Sequence, residues 1–278
     1  SATYRNRDHA LKYDISANVS TLKNKVTSLG IGKNSYITGA YATYVGQEIG
    51  KFYGWIYEGI ARTQDELDGH ATQQGANVGD CLYKDISGPN GEPDGVIDAY
   101  DQTVLGSGLP KVNFGLSTHM EYKGFDLNIS TYGVLNYHVS DDIYNSLNSC
   151  YGYGNKEVGM LDANRWSEDG STYLSSVPRT YAANNATLGW NDLFSSRKIQ
   201  NAAYWKIANV ELGYNFPDKW FGGYVSGVRF YVSAQNLYTF TGYHGYNVDY
   251  AGGTFTPGYN FCSFPSARTF MCGLHFTF

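Results

Sequence analysis

Apolar and polar residues alternate along several stretches of this chain, most regularly at its end. In residues 268–278 the apolar positions are Phe270, Cys272, Leu274, Phe276 and Phe278, and the intervening Thr269, Gly273, His275 and Thr277 are small or polar, with Met271 the exception. Successive side chains of a strand point to opposite faces, so this spacing predicts a strand with one apolar face. Residues 204–216 set Val210, Leu212, Tyr214 and Phe216 against Asn209, Glu211, Gly213 and Asn215. Residues 228–240 set Val228, Phe230, Val232 and Ala234 against Arg229, Tyr231, Ser233 and Gln235. Phe125, Leu127 and Ile129 alternate with Asp126, Asn128 and Ser130, and Tyr13, Ile15, Ala17 and Val19 with Asp14, Ser16, Asn18 and Ser20. A weaker alternation runs through 112–122, residues 49–61 read as an aromatic strand, and a short strand falls near 3–7. The pattern therefore predicts an all-β fold of about eight antiparallel strands.

Two features decide what kind of β fold this is. The polar positions include the charges Arg229, Glu211 and Asp126, which a packed sandwich core excludes but a water-filled lumen accepts. Strand lengths near ten residues also suit a tilted membrane crossing. The turn Lys123-Gly124 and the segment 217–227 are short, whereas 62–111, 136–201 and 241–267 are long. Short and long connections alternating in this way match the brief periplasmic turns and long outer loops of outer-membrane barrels. Tyr122, Trp205, Trp220 and Tyr238, near strand ends, are placed to form interfacial girdles.

Composition narrows the class further. Aromatic residues reach 16%, and charged residues are also only 16%, well below the usual quarter. A membrane barrel and a secreted, Tyr-rich β-sandwich both fit those figures. The net charge of -5 leaves no basic stripe for nucleic acid. No run of 18 apolar residues offers a transmembrane helix. The first residues, SATYRNRDHALKY, lack a leader pattern and read as part of a strand, as if the chain were entered midway. The four cysteines have no C-x-x-C spacing. Cys272 is expected to face lipid unpaired, and a disulfide between Cys81 and Cys150, both in predicted loops, stays open.

Several segments resemble the SusC-like (SusC/RagA) family of TonB-dependent outer-membrane transporters. They are EIGKFYGWIYEGI (48–60), YKDISGPNGEPDGVIDAYDQTVLGSGLPKVNFG (83–115), NRWSEDG (164–170), AYWKIANVELGYNFP (203–217), VSAQNLYTFTGYHGYNVD (232–249) and the terminal FPSARTFMCGLHFTF. The resemblance covers nearly the whole chain in the family's order. It implies that residues 1–278 are the C-terminal part of a barrel of roughly twenty-two strands, with the plug and the N-terminal barrel strands absent from the chain, since open edges are not tolerated in lipid. It further implies uptake of oligosaccharides or peptides across the outer membrane of a Gram-negative, Bacteroidota-like bacterium. The implied partners are the remainder of the same transporter, a SusD-like surface lipoprotein, TonB acting through the absent part, outer-membrane lipid and a second copy of the transporter. A siderophore or vitamin receptor without a lid and a secreted glycan-binding sandwich are the competing readings.

One stretch carries recognisable site chemistry. With PNGEP (89–93) set aside, residues 85–101 read DISGDGVIDAYD, a calcium loop in which Asp85, Ser87, Asp94, Val96 (through its carbonyl), Asp98 and Asp101 fall at ligand positions and Gly95 makes the sharp turn. Hard oxygen donors suit Ca²⁺, with Mg²⁺ second and a structural role implied. The serine at the third position, the insertion and the missing flanking helices leave a metal-free Asp/Gly turn as the other reading. The six histidines are scattered, and no nucleophile–base or paired-carboxylate spacing points to an enzyme. Among the loop aromatics Tyr151, Tyr153, Trp166, Tyr173, Tyr181 and Trp190, packing of the loop on itself is expected for most, with Arg165 and Trp166 as its anchors.

Overall fold

The computed structural model describes residues 1–30, 32–150, 155–158, 165–167, 175–180, 189–221, 225–250 and 252–277. Phe278, Tyr151, Tyr153, Tyr173 and Tyr181 lie outside them. Seven strands form one antiparallel sheet in which each pairs with the next along the chain: β1 (Ala2–Asn6), β2 (Leu11–Thr21), β3 (Val112–Tyr122), β4 (Phe125–Leu135), β5 (Tyr204–Phe216), β6 (Gly227–Thr241) and β7 (Thr269–Thr277). All tight connections lie at one end of this wall. The sharpest joins β3 to β4 through Lys123 and Gly124, both at positive φ (48° and 86°), the backbone signature of a two-residue hairpin whose twist matches its strands. All three long excursions, 22–111, 136–203 and 242–268, leave from the other end.

The wall has one strand fewer than the sequence pattern predicts. Residues 49–61 are not part of it: Lys51–Gly54 belongs to a four-stranded sheet with Ser35–Thr38, Tyr41–Tyr44 and Thr103–Ser107, and Tyr57–Ile60 pairs with Cys81–Tyr83. The reason is packing. Phe52 and Ile60 are fully or nearly fully buried, so the aromatic run fills the interior of a loop layer, whereas true wall strands expose their apolar side. With 49–61 outside the wall, 22–111 is one excursion on the same side as the other two.

Register fixes which residues share a face. Phe276, Val228 and Phe216 line up across β7, β6 and β5, as do Leu274, Phe230 and Tyr214 with Phe125 and Tyr122 of β4 and β3. The pairing shifts on both sides of β5: Ala208 is an extra residue facing the Ser130–Thr131 step of β4, and toward β6 the step from Ile207 to Asn209 is matched by the unpaired Asn236 and Leu237. A bulge re-aims the side chains beyond it. Here it lets Ile207 and Trp205 share the apolar face with Val210 and Leu212, and Lys206 share the polar face with Asn209.

The outer layer is tied together by small sheets and buried polar bonds. His138–Asp141 pairs antiparallel with Gln200–Asn201 and parallel with Tyr259–Asn260, joining the second and third excursions. Asp141 accepts hydrogen bonds from the Tyr243 hydroxyl and, at 3.0 Å, from Asn260 Nδ2. A cluster of Val134, Tyr137, Val139, Ala202, Tyr204, Tyr243 and Val248 seats this layer on the end of the wall.

Candidate functional site

The wall is built inside out relative to a soluble domain. Its apolar face is exposed, with Phe270 at 70%, Leu274 at 58% and Leu212 at 44%, while on the other face Asp126 and Lys206 are at 5% and 3%. Near the tight turns, Phe125 packs on Tyr214 (centroids 4.6 Å apart), and near the long excursions Trp205 stacks on Phe240 (5.3 Å). With the bulge discounted, these rows are separated by roughly 27 Å of strand, or roughly 21 Å across a bilayer at a tilt of about 40°, near the roughly 25 Å apolar band of outer-membrane barrels. The expected girdle residues Tyr122, Trp205, Trp220 and Tyr238 are all exposed.

The polar face carries a connected row of charges. Arg229 Nε donates to Asp126 Oδ2 at 3.0 Å, Nη2 donates to Asp126 Oδ1 and, at 2.7 Å, to Glu211 Oε1, and Asn215 Nδ2 donates to Asp126 Oδ2 at 3.0 Å. Gly213 sits under this cluster: a Cβ there would stand 2.5 Å from Arg229 Nη2 and 2.6 Å from Asp126 Oδ2. His119 bridges Asn128 (2.7 Å) and Glu121 (3.0 Å), and Arg7 meets Asp14 at 2.9 Å. The fork of Arg229 spanning two carboxylates on neighbouring strands fixes the wall's inner surface.

A second polar cluster stands where the wall meets the outer layer. Lys206 Nζ lies 2.6 Å from Asp249 Oδ2, and Asp249 Oδ1 accepts from the hydroxyls of Tyr204 (2.8 Å) and Tyr132 (3.1 Å). The Tyr137 hydroxyl donates to the Tyr250 carbonyl. Tyr132, Tyr137, Tyr204, Asp249 and Tyr250, with Asn113 and Val248, line a cavity of about 340 Å³. Phenol rings, an amide and a carboxylate held by Lys206 from behind form a surface that can stack against and hydrogen-bond a polar oligomer. Sequence reasoning missed this site. Lys206 precedes a bulge that disturbs the alternation, and Asp249 comes from a distant excursion with no local pattern.

In the acidic loop the carboxylates serve the backbone. Gly95 N donates to Asp85 Oδ2 at 2.7 Å, closing the turn, and Gly95 has φ of 81°. Buried Asp101 accepts from Ile86 N, Ser87 N and Asp98 N, Asp98 caps a short 3-10 turn through Tyr100 N, and Asp94 Oδ1 accepts from Val96 N. Asp85 Oδ1 is buried without a hydrogen-bond partner, an oxygen of the kind a cation satisfies. Among the described residues, however, no three acidic, thiol or imidazole groups stand close enough together to hold a metal ion.

The loop anchors are buried as expected. Arg165 and Trp166 are 6% and 8% exposed, and Trp166 N donates to Val177 O at 2.8 Å. Trp190 packs on Tyr83 (6.2 Å). Asp80 clamps the first excursion to the second: Arg179 grips it with two bonds of 2.7 and 2.8 Å, and Asn191 Nδ2 donates to it at 2.8 Å while Asn191 Oδ1 accepts from Cys81 N. Cys81 and Cys150 are both free and fully buried. Burial pushes the Cys81 thiol up to about 12 and raises that of Cys150, which keeps both protonated and inert. Cys272 is free and exposed on the apolar face.

An antiparallel sheet with an aromatic-girdled apolar outside, a charged inside, tight turns at one end and long excursions at the other is a stretch of outer-membrane β-barrel wall. Comparison with known proteins agrees. No family model matches the chain. TonB-dependent receptor P3 of Formosa agariphila is 30% identical over 94% of this chain and 26% of its own length. SusC, a TonB-dependent receptor of Bacteroides thetaiotaomicron, is 25% identical over 96% of this chain and 24% of its own. The solved structure of the RagAB peptide transporter superposes with a TM-score of 0.76 at 20% identity, over 98% of this chain and 28% of that one. The chain is therefore similar along nearly its whole length to SusC-like TonB-dependent receptors, and its sheet matches the barrel part of such a receptor. It spans about a quarter of the length of the curated relatives it matches. Those relatives are receptors rather than enzymes, in line with the absence of catalytic spacing in the sequence.

Proposed function

We propose that this chain supplies part of the barrel wall and three outer loops of a SusC-like transporter that imports an oligosaccharide or peptide across the outer membrane. The observation that carries this reading is the inside-out wall with two open edges. Among the described residues β1 pairs only with β2 and β7 only with β6, and unpaired strand edges cannot face lipid. The remainder of the receptor, plug included, closes the barrel, and TonB acts through that part. A SusD-like lipoprotein sits on the outer loops, and the transporter works as a pair of copies. The tyrosine-lined cavity beside Lys206 and Asp249 faces the transported oligomer. Isolating the chain from its membrane in mild detergent tests this. A larger receptor polypeptide and a surface lipoprotein are expected with it, and a soluble, solitary 30.8 kDa species would refute the proposal.

We propose that the acidic loop rearranges to take Ca²⁺, Asp85 and Asp94 leading and Ser87, Asp98, Asp101 and the Val96 carbonyl closing in on the ion, since no three of its acids stand close enough to hold a metal before it binds. The unpaired Asp85 Oδ1 supports this. Extracellular calcium modules bind at about 10⁻⁴–10⁻³ M, so Ca²⁺ at ten times that dissociation constant is expected to stabilise the loop by about 1.4 kcal/mol. A rise in the loop's unfolding temperature, reversed by chelator and abolished by Asp94→Asn, is the expected result. An unchanged temperature means the backbone amides alone close the turn.

A further inference from the structure

Helix Asp142–Leu147 and the short turn Ser196–Lys198 border a second cavity in the outer layer, of about 280 Å³. Tyr57, Tyr144, Asn145, Asn148, Arg197 and Lys198 line it. The two cations differ in their partners. Lys198 Nζ donates to the Asp192 carbonyl and lies 3.7 Å from the Asp192 carboxylate. Arg197, among the described residues, donates no hydrogen bond and has no carboxylate within 4.0 Å.

Among the described residues, the thiols of Cys81 and Cys150 and the phenols of Tyr57 and Tyr83 act on the Arg197 guanidinium, and burial holds all four protonated. The acid of this cluster, Asp192, is engaged by Lys198 at 3.7 Å and by Cys150 N at 2.9 Å. The acid Glu157 is bound by Asn148 Nδ2 at 2.8 Å and makes no ion pair with Arg197. A half-buried cation without a counter-charge is unfavourable unless something supplies one. The Tyr57 and Tyr144 hydroxyls also make no hydrogen bond among the described residues.

We propose that this cavity binds a carboxylate, which Arg197 takes with both arms of its guanidinium and which the Tyr57 and Tyr144 hydroxyls flank. The planar fork of arginine matches a carboxylate in this way, and an ammonium does not. The volume holds about nine waters, room for one end group and too little for a whole oligomer. Two sources share this chemistry, the C-terminus or acidic side chain of a peptide and the uronic acid of a glycan. The inference rests on the transport reading only for the ligand being part of an imported oligomer.

The test is a calorimetric titration of the complete receptor in detergent. The probes are tri-alanine as free acid and as C-terminal amide, and digalacturonic acid and its methyl ester. At least one free acid is expected to bind, at least tenfold more tightly than its blocked form, and the pair that shows this identifies the source. Arg197→Met is expected to weaken that acid by about tenfold to a hundredfold, with Arg197→Lys recovering part of the loss. Acids that bind no better than their blocked forms would overturn the proposal. So would no binding of either acid at millimolar concentration, or wild-type affinity in Arg197→Met. The acid-against-blocked comparison needs no variant, so a folding defect cannot obscure it. Binding without uptake of any oligomer by cells would refute the transport reading and leave this site standing, and uptake without carboxylate preference would do the reverse.

Discussion

Asp80→Ala is expected to detach the first outer excursion from the second while leaving the barrel wall folded. Asp80 is 2% exposed and accepts from Arg179 twice, from Asn191 and from Asn77 N. Removing one member of a buried charge pair costs about 3–5 kcal/mol, because the other charge is left unpaired. Arg179 keeps 27% of its side chain exposed, so water recovers part of that, and about 3 kcal/mol of loop stability is the expected loss. Asn191 transmits the effect, since its Oδ1 also holds Cys81 N at 2.7 Å. Hydrogen exchange reads the outcome. Protection is expected to fall more than a hundredfold in Ile60–Tyr83 and to stay unchanged in β5 and β6. Loss in the wall as well would mean that loops and wall unfold as one unit. Asp80→Asn, which keeps one acceptor oxygen, turns the other into a donor and removes the charge, is expected to fall between.

Val210→Arg is expected to weaken insertion of the wall in a bilayer by about 2–4 kcal/mol, the cost of a cation at the midplane of an outer-membrane barrel. Val210 lies midway between the two aromatic rows and pairs with Ile129 and Ala234 on the same apolar face. No acid shares that face nearby among the described residues, so nothing offsets the charge. Its neighbour Glu211 points the other way and already sits 2.7 Å from Arg229. A midplane arginine therefore destabilises at position 210, and near-neutral folding of Val210→Arg in liposomes would show that this face does not meet lipid.

The sequence made the wall legible because a period of two is preserved wherever one face meets lipid and the other water. Strands β2 to β7 fall within a few residues of their expected places, and the Lys123-Gly124 hairpin is where its residues predict it. Residues 49–61 misled because a short aromatic run has the same composition whether its rings face lipid or, like Phe52, the inside of a loop layer. The bulge at Ile207–Asn209 was invisible for a related reason: the apolar set Trp205, Ile207, Val210 and Leu212 breaks a strict period by one residue. The polar clusters are harder still. Asp249 reaches Lys206 from 43 residues away and Asp80 reaches Arg179 from 99, and no local spacing encodes such pairs. The acidic loop was legible as a turn closed at Gly95.

One face of this sheet meets lipid and the other water, and Cys272 is a natural probe of that difference. Cys272 is free and exposed, and it pairs with Val232 on the apolar face, while the exposed Ser130 of β4 lies in the row of Asp126 and Asn128 on the opposite side. In the complete receptor, embedded in liposomes, Cys272 is expected to react with a membrane-partitioning maleimide and to resist a charged, water-soluble one. A Ser130→Cys variant is expected to gain a site that reacts with the water-soluble reagent. Modification of Cys272 by the charged reagent as fast as Ser130→Cys would place water on both faces and contradict the barrel wall.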